Sequence, residues 1–506
     1  MNKTKDLKGG PNWLHLGIIA VAFLLAYSYT FDAKLAMLGD NASYYALGKA
    51  LAEGEGYVNV SSVRKMPNNH YPPGYPVIIS LVMIFTDSIL VIKLVNGLIG
   101  LLGFTVVYLL IRNVSGHSLL ALVVTLLAVL NSHLLWYSSL IMSEIPFMLF
   151  SILALYCFSK IDFERFSWKD KFFWGSLLAL VISYYIRSLG VALLGGFVLA
   201  LLFKKQWKFI GIYIIGFAVA IVPWFIRGSQ LGGSSYMRQL KMINPYQPAL
   251  GQADFGDFVD RFFANFQRYV TRELPDALFP IIEPNYGQPS STGQWLLGII
   301  ILGLMVYGVI NLPKFQWLIV GYLLGTLAVL MLWPEVWIGV RFIVPVIPIF
   351  LLVFVNGIYT LLGLLLKSAP KKVIIYSIGG FLMLFQFKAV QAIHDTAKEP
   401  YAPAWKNYFA TADWLKKNER NDVVVSCGKP ALFYLYSGTY TTRYKFLSPE
   451  ELIANLEKNQ VDYVVIDQAY GNTLRYLLPA VRKYPDRFQQ VYHLDNPDTY
   501  LLKFKR

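Results

Sequence analysis

Charge is scarce in this chain of 506 residues. Only 15% of them are Asp, Glu, Lys or Arg, while 56% are hydrophobic. That balance excludes a soluble globular protein of this length and fits a polytopic membrane protein. Cysteine is scarcer still: Cys157 lies in an apolar run and Cys427 in a polar tail, and two such residues make no disulfide framework. Acidic residues number 30 against 45 basic ones, a formal net charge of +15. The basic residues sit in short clusters between apolar runs, which is the pattern of cytoplasmic loops and argues against a nucleic-acid partner. A small-residue cleavage pattern is missing after the first apolar run, Trp13 to Phe31. That run, preceded by Lys3, Lys5 and Lys8, therefore reads as a retained signal anchor.

Long apolar runs are what the chain has in abundance. Segments of membrane length, about 20 residues, fall near 12–31, 89–111, 118–135, 144–159, 171–187, 189–203, 208–226, 294–311, 316–333, 341–366 and 371–389. They predict about eleven transmembrane helices by that rule. The 12 Trp, 33 Tyr and 34 Phe suit interfacial belts as well as packing. With the N-terminus inside, the inner loops carry Arg112; Lys160, Arg165, Lys169 and Lys171; Lys204, Lys205 and Lys208; Lys314; and Lys367, Lys371 and Lys372. Each inner connection then holds a positive charge, as the positive-inside rule requires. This places the loops 32–88 and 227–293, and everything beyond about residue 390, outside.

The predicted organisation is a membrane domain, 1–390, and an extracytoplasmic domain, 391–506. In the first outer loop, Tyr44, Leu47 and Leu51 with Ala50 mark an amphipathic helix expected to lie on the membrane surface. The paired prolines of "HYPPGYP" start a short apolar helix. In the second outer loop "FGDFVDRFFANFQRYV" again reads as amphipathic and interfacial. In the tail, "VVVSC", "DYVVID" and "TYLLKF" read as strands, and "ATADWLKKN", "SPEELIANLEKN" and "LRYLLPAVRKY" as helices. Ser448 and Glu451 have capping-box spacing. The result is a small α/β domain with neither a G-x-G-x-x-G nor a P-loop.

With this topology the informative ionisable residues collect at one water–lipid boundary. Asp40, in "GDN", follows the first span. Glu144, in "SEIPF", opens the fourth. Arg187, in "YYIRSLG", marks the next outer turn, and Glu335 and Arg341 lie in "WPEVWIGVRFIVPVIP". His70 and Tyr71 belong to the first outer loop. Each also has a bland reading: Asp40 as a helix cap, Glu144 as a first-turn acid, the arginines as headgroup contacts, His70 as a surface residue, Glu335 as a partner of Arg341. Capping and chemistry are both open for Asp40. As a set, two carboxylates and two arginines suit the binding of a phosphate leaving group and the activation of a hydroxyl.

"GDN", "YPPGYP", "SEIPF" and "RFIVPVIP", in that order and on that side, resemble the glycosyltransferase-C superfold. The chain is most similar to the bacterial group of the lipid A aminoarabinose transferase and the protein O-mannosyltransferases (family 39/83-like). The resemblance spans about 10–390 in layout and extends to a small extracytoplasmic α/β tail. It implies a polyprenyl-phosphate-linked sugar as donor, a lipid, glycan or protein acceptor, and inverting transfer at the outer face of the bacterial cytoplasmic membrane. It implies Asp40 as catalytic base and Glu144 as second acid, with Arg341 as a contact to the lipid phosphate. Arg187, His70, Tyr71 and Glu335 complete the candidate donor-binding set. Asn41 follows the first acid where mannosyltransferases often carry a second, so a divalent metal, held by Asp40 and Glu144 if present, stays unassigned. The rival class is a transporter or flippase of a lipid-linked or anionic substrate, which predicts ionisable groups at the bilayer midplane.

Overall fold

The computed structural model describes residues 10–37, 39–233, 235–247, 250–280, 282 and 284–506. Lys3, Lys5 and Lys8 lie outside the described residues. The chain divides into two compact units. One comprises Met1–Lys34, Asn69–Tyr75 and Leu90–Ala397; the other comprises Leu35–Asn68, Pro76–Ile89 and Lys398–Arg506. Residues 35–68 and 76–89 of the first outer loop thus group with the tail.

The first unit is helical and apolar. Among the described residues, Trp13–Thr30, Ile89–Ser115, Trp207–Gln230, Thr292–Ile310, Val344–Leu365 and a stretch beginning at Lys371 are long and apolar enough to cross a membrane. A seventh span is formed if Ser118–Leu130 and Ser132–Ser138, bent by 63°, count as one. The bend has a local cause. Asn131 takes extended backbone angles, and its side chain accepts from the Leu134 N–H while donating to the Ala277 carbonyl at 2.9 Å. The break is therefore capped, not left with orphan backbone groups.

The remaining four expected spans are present as apolar helices, Glu144–Phe158, Lys171–Ile186, Ser188–Phe203 and Gln316–Met331. They are too short to cross by length alone, since a 15-residue helix rises only about 22 Å. Length therefore supports six or seven of the eleven expected spans. Close helix crossings hold the bundle. Gly308 and Gly357 face one another's helix, and a Cβ at either would overlap the Val353 or Leu304 carbonyl. Small residues of this kind let backbones meet where lipid supplies no hydrophobic drive.

The second unit holds a five-stranded mixed sheet: β1 (Val424–Ser426), β2 (Tyr440–Thr442), β3 (Tyr463–Ile466), β4 (Phe488–Leu494) and β5 (Thr499–Phe504), in the order β2-β1-β3-β5-β4. β1 pairs in parallel with β2 and β3, whereas β5 runs antiparallel to β3 and β4. β1, β3 and β5 are the three strands expected from their apolar patterns. β2 and β4 were not expected: β2 spans only three residues, and β4 is an edge strand with mostly part-exposed side chains. The Ser448–Glu451 capping box is formed at the start of Pro449–Lys458.

Leu452, Val464, Leu477 and Leu502 lie in the core on one side of this sheet. At the end of β3, Asp467 is fully buried and accepts from Thr473 Oγ1 at 2.9 Å and the Tyr470 N–H at 2.8 Å. Burial outweighs these donors and pushes its carboxyl up to about 6.

The helix Gly39–Ala52 is a correction to the expected surface helix. Its Ala46 and Ala50 pack with Val60 against Tyr434 of the tail, and Tyr44 and Leu47 are buried. The apolar face read as lipid-facing is covered by protein. Periodicity shows that a face is apolar, not what covers it.

Candidate functional site

Glu144 is the first residue of its helix, and its carboxylate is completely buried. Two guanidinium groups converge on the same oxygen, Oε1: Arg187 Nη1 at 2.7 Å and Arg341 Nε at 2.7 Å. Arg187 also donates to Ser143 Oγ at 3.2 Å. The arrangement is graded, with Glu144 fully enclosed, the Arg187 side chain 14% exposed and Arg341 27% exposed. One buried negative charge thus holds two guanidinium groups at the edge of the bundle. Such a group is suited to an anion, and the planar guanidinium fork suits a phosphate.

Local structure presents both arginines. Arg187 caps the helix Lys171–Ile186 in extended conformation, and its N–H returns to the Ser183 carbonyl. Arg341 sits in a three-residue 3-10 turn, Val340–Phe342. Gly339, at φ 110°, precedes the turn; that backbone angle is open to glycine and strained for other residues. Pro345 and Pro348 lie just beyond, at the start of a second 3-10 turn and of the helix Ile347–Leu365.

Of the predicted residues, the structure brings Glu144, Arg187 and Arg341 into direct contact. Glu335 does not have the expected role toward Arg341. Its side chain is exposed, and the carboxylate on Arg341 is Glu144. His70 packs edge-on against Tyr71, with ring centroids 4.5 Å apart, and stacks on Tyr236 at 5.2 Å. Tyr236 lies 5.9 Å from Trp333, itself 5.1 Å from Trp337, so an aromatic chain joins the "HYPPGYP" segment to the one leading to Arg341. Asp40 belongs to the other compact unit. There it lies in the first turn of Gly39–Ala52, inside the helix and not at the residue before it. A carboxylate in that turn still favours the helix dipole.

A divalent metal on Glu144 Oε1 would meet two guanidinium groups already there, whereas the buried Oε2 accepts no hydrogen bond from the described residues. Among the described residues, the one cluster with metal-ligand spacing is His493, Asp495 and Asp498 in the part-exposed β4–β5 hairpin.

Sequence reasoning missed three anchoring groups. Lys93 is buried and donates to the carbonyls of Asp32 and of Lys34, the latter at 2.6 Å, fixing the segment after the first span. Asn265 and Arg268 are buried on the helix Phe255–Arg268. Their spacing offered a signal: Arg261, Asn265 and Arg268 recur at i, i+4 and i+7, one face of a helix otherwise rich in Phe.

Residues 47–231 match the family described as dolichyl-phosphate-mannose-protein mannosyltransferase. No curated protein matches the sequence. The structure of ArnT from Cupriavidus metallidurans bound to undecaprenyl phosphate is similar, with TM-score 0.63 and 12% identity, over 97% of this chain and 98% of that one. Its apo form gives 0.57 at the same identity, over 97% of each chain. The oligosaccharyltransferase of Archaeoglobus fulgidus, tethered to an acceptor peptide, gives 0.58 at 12% identity, over 98% of this chain and 74% of that one. At such identities these likenesses establish the fold.

Proposed function

We propose that this chain, a membrane glycosyltransferase of the glycosyltransferase-C fold related to the protein mannosyltransferases through residues 47–231, moves a sugar from a polyprenyl-phosphate donor to a lipid, glycan or protein hydroxyl. The observation that carries the donor assignment is the pair of arginines held at 2.7 Å by one buried glutamate. A phosphate monoester leaving group presents oxygens that planar guanidinium groups of this kind bind by charge-assisted hydrogen bonds. The ArnT structure bound to undecaprenyl phosphate supports the reading, since that protein has the same fold.

In this reaction the acceptor oxygen attacks the anomeric carbon as the bond to the phosphate oxygen breaks. The acceptor proton passes to the Asp40 carboxylate acting as general base. The electron pair of the broken bond leaves with the prenyl phosphate, whose developing charge Arg341 and Arg187 stabilise. Glu144 does not need to touch the sugar. It fixes the two arginines and offsets part of their mutual repulsion. His70 and Tyr71 offer a ring surface to the donor sugar. A single displacement inverts the anomeric configuration. The N-terminus lies inside and the tail outside the bacterial cytoplasmic membrane, as the placement of Lys and Arg supports.

The test is transfer by the purified full chain in lipid nanodiscs, given a polyprenyl-phosphate sugar and an extracted envelope acceptor pool. Sugar appearing on an acceptor with inverted configuration is the expected result. Donor that is bound and moved across a sealed bilayer without cleavage would establish the transporter reading in its place.

A further inference from the structure

The helix Phe255–Arg268 is inside out by the standard of a water-soluble protein. Its buried residues are Arg261, Asn265 and Arg268, while Phe255 is 84% exposed, Phe263 63% exposed, and Phe262 and Phe266 are also exposed. The aromatic face suits the lipid interface. The polar face grips backbone. Asn265 Nδ2 donates to the carbonyls of Leu330 at 3.2 Å, Met331 at 2.9 Å and Trp333 at 2.8 Å. Leu330 and Met331 end the helix Gln316–Met331 and Trp333 lies just beyond it; the Leu330 carbonyl also accepts the Trp333 N–H at 3.2 Å. Arg268 continues along the same segment, reaching the Glu335 carbonyl at 2.8 Å and the Trp337 carbonyl at 3.4 Å. Behind it, the buried carboxylate of Glu273 lies 2.8 Å from Arg268 Nε.

We infer that Asn265 and Arg268, with Glu273 orienting Arg268, are positioning residues that hold the segment 330–337 and thereby fix Arg341 against Glu144. Between Leu332 and Val346 there is no helix longer than a three-residue 3-10 turn, so local backbone bonding alone does not set the path. Trp337, the last carbonyl gripped, is four residues before Arg341 and two before the positive-φ Gly339. A shift of the segment is therefore passed to the guanidinium within one short, irregular stretch. None of the three residues needs to touch substrate. The functional part of this inference rests on the reading of Arg341 as the phosphate contact.

The test uses the full chain in nanodiscs with a nitroxide on Ile338→Cys, a part-exposed position; the native Cys157 and Cys427 are both buried. The parent should give a broad, immobilised spectrum. Asn265→Asp keeps the size of the side chain but removes the donor, and should add a sharp, mobile component. An unchanged spectrum would overturn the inference. In the transfer assay Asn265→Asp should raise the donor KM about tenfold, the scale of one lost buried hydrogen bond, with kcat within about twofold. In an Arg341→Lys background it should add less than about twofold, because the two act on one step. Equal additional losses in both backgrounds would assign Asn265 a general structural role and sink the inference. If Arg341→Ala leaves the donor KM unchanged, the phosphate-contact reading fails, while the nitroxide spectrum still decides whether the segment is held. Should Asn265→Asp not fold, Arg268→Lys serves instead: it keeps the charge beside Glu273 but cannot span two carbonyls.

Discussion

Glu144 and Asp467 are both carboxylates with no solvent exposure, one in the membrane unit and one in the tail. Glu144 is met by two charged partners whose own side chains remain partly exposed. Asp467 is met by a hydroxyl and backbone N–H groups from the loop that follows it, with Thr473 itself buried. The difference separates two uses of a buried acid. Asp467 closes a loop on itself and presents nothing outward. Glu144 is the buried end of a charge arrangement whose other members, Arg187 and Arg341, are partly exposed. Burial of an acid does not mark function by itself; the exposure of its partners is what separates these two.

The largest effect is expected at Asp40, in the first turn of Gly39–Ala52. Asp40→Asn keeps the size of the side chain and should leave folded yield near normal, while turnover falls about 10²–10⁴-fold, the usual loss for a general base. Near-normal transfer by this variant would reduce Asp40 to a helix-terminal charge. In that case Ala, not Asn, would be the damaging change, at about 0.5–2 kcal/mol.

Glu144→Ala tests the charged half of the comparison. It leaves Arg187 and Arg341 facing one another without their shared carboxylate, and breaking a buried pair in this way costs about 3–5 kcal/mol. A lower melting temperature together with lost donor affinity is the expected result. Full donor affinity in folded Glu144→Ala would mean that the arginines do not need their anchor.

Asp467→Asn tests the neutral half, and its sign is opposite to that of an ion-paired acid. The folded carboxyl titrates near 6, above the usual 3.8, so the native state holds its proton more tightly than the unfolded chain. The associated stability is fully present below about pH 4 and is lost as pH rises toward 6. The loss amounts to about 3 kcal/mol at 1.36 kcal/mol per tenfold change in proton affinity. Asp467→Asn should flatten the fall of melting temperature between pH 4 and 6 and leave transfer intact. Abolished transfer in a folded variant would place chemistry in the tail.

The smallest effect is that of Arg341→Lys. Charge is kept and the planar fork is lost, so the donor KM should rise about tenfold. A donor KM equal to that of the parent would show that Arg341 acts only as a point charge.

Much of this was legible from residues one at a time. The six long apolar spans follow from run length, and the Ser448 cap follows from its spacing to Glu451. The grouping of Glu144, Arg187 and Arg341 was expected from the one-sided placement that the short cationic loops predict, and these three side chains do meet. The pairing within that group was not legible. Glu335 is six residues from Arg341 and looked like its partner, whereas the true partner is 197 residues away in the chain. A polar face such as that of Asn265 and Arg268 reads as solvated, because an amphipathic pattern does not say which side is inside. β4 stayed hidden because an edge strand needs no continuous apolar run.

One feature of the tail also governs when it can form. β5 follows all the other strands in the chain, yet it lies within the sheet, between β3 and β4. Until β5 has been synthesised, β3 and β4 have no strand between them. Both then carry open edges, prone to pairing with other chains. The tail therefore assembles as a late step of biogenesis, after the membrane helices have been threaded. A chaperone that shields strand edges would act at that moment, and lesions within β5 would be cleared as degradation products rather than accumulate as folded protein.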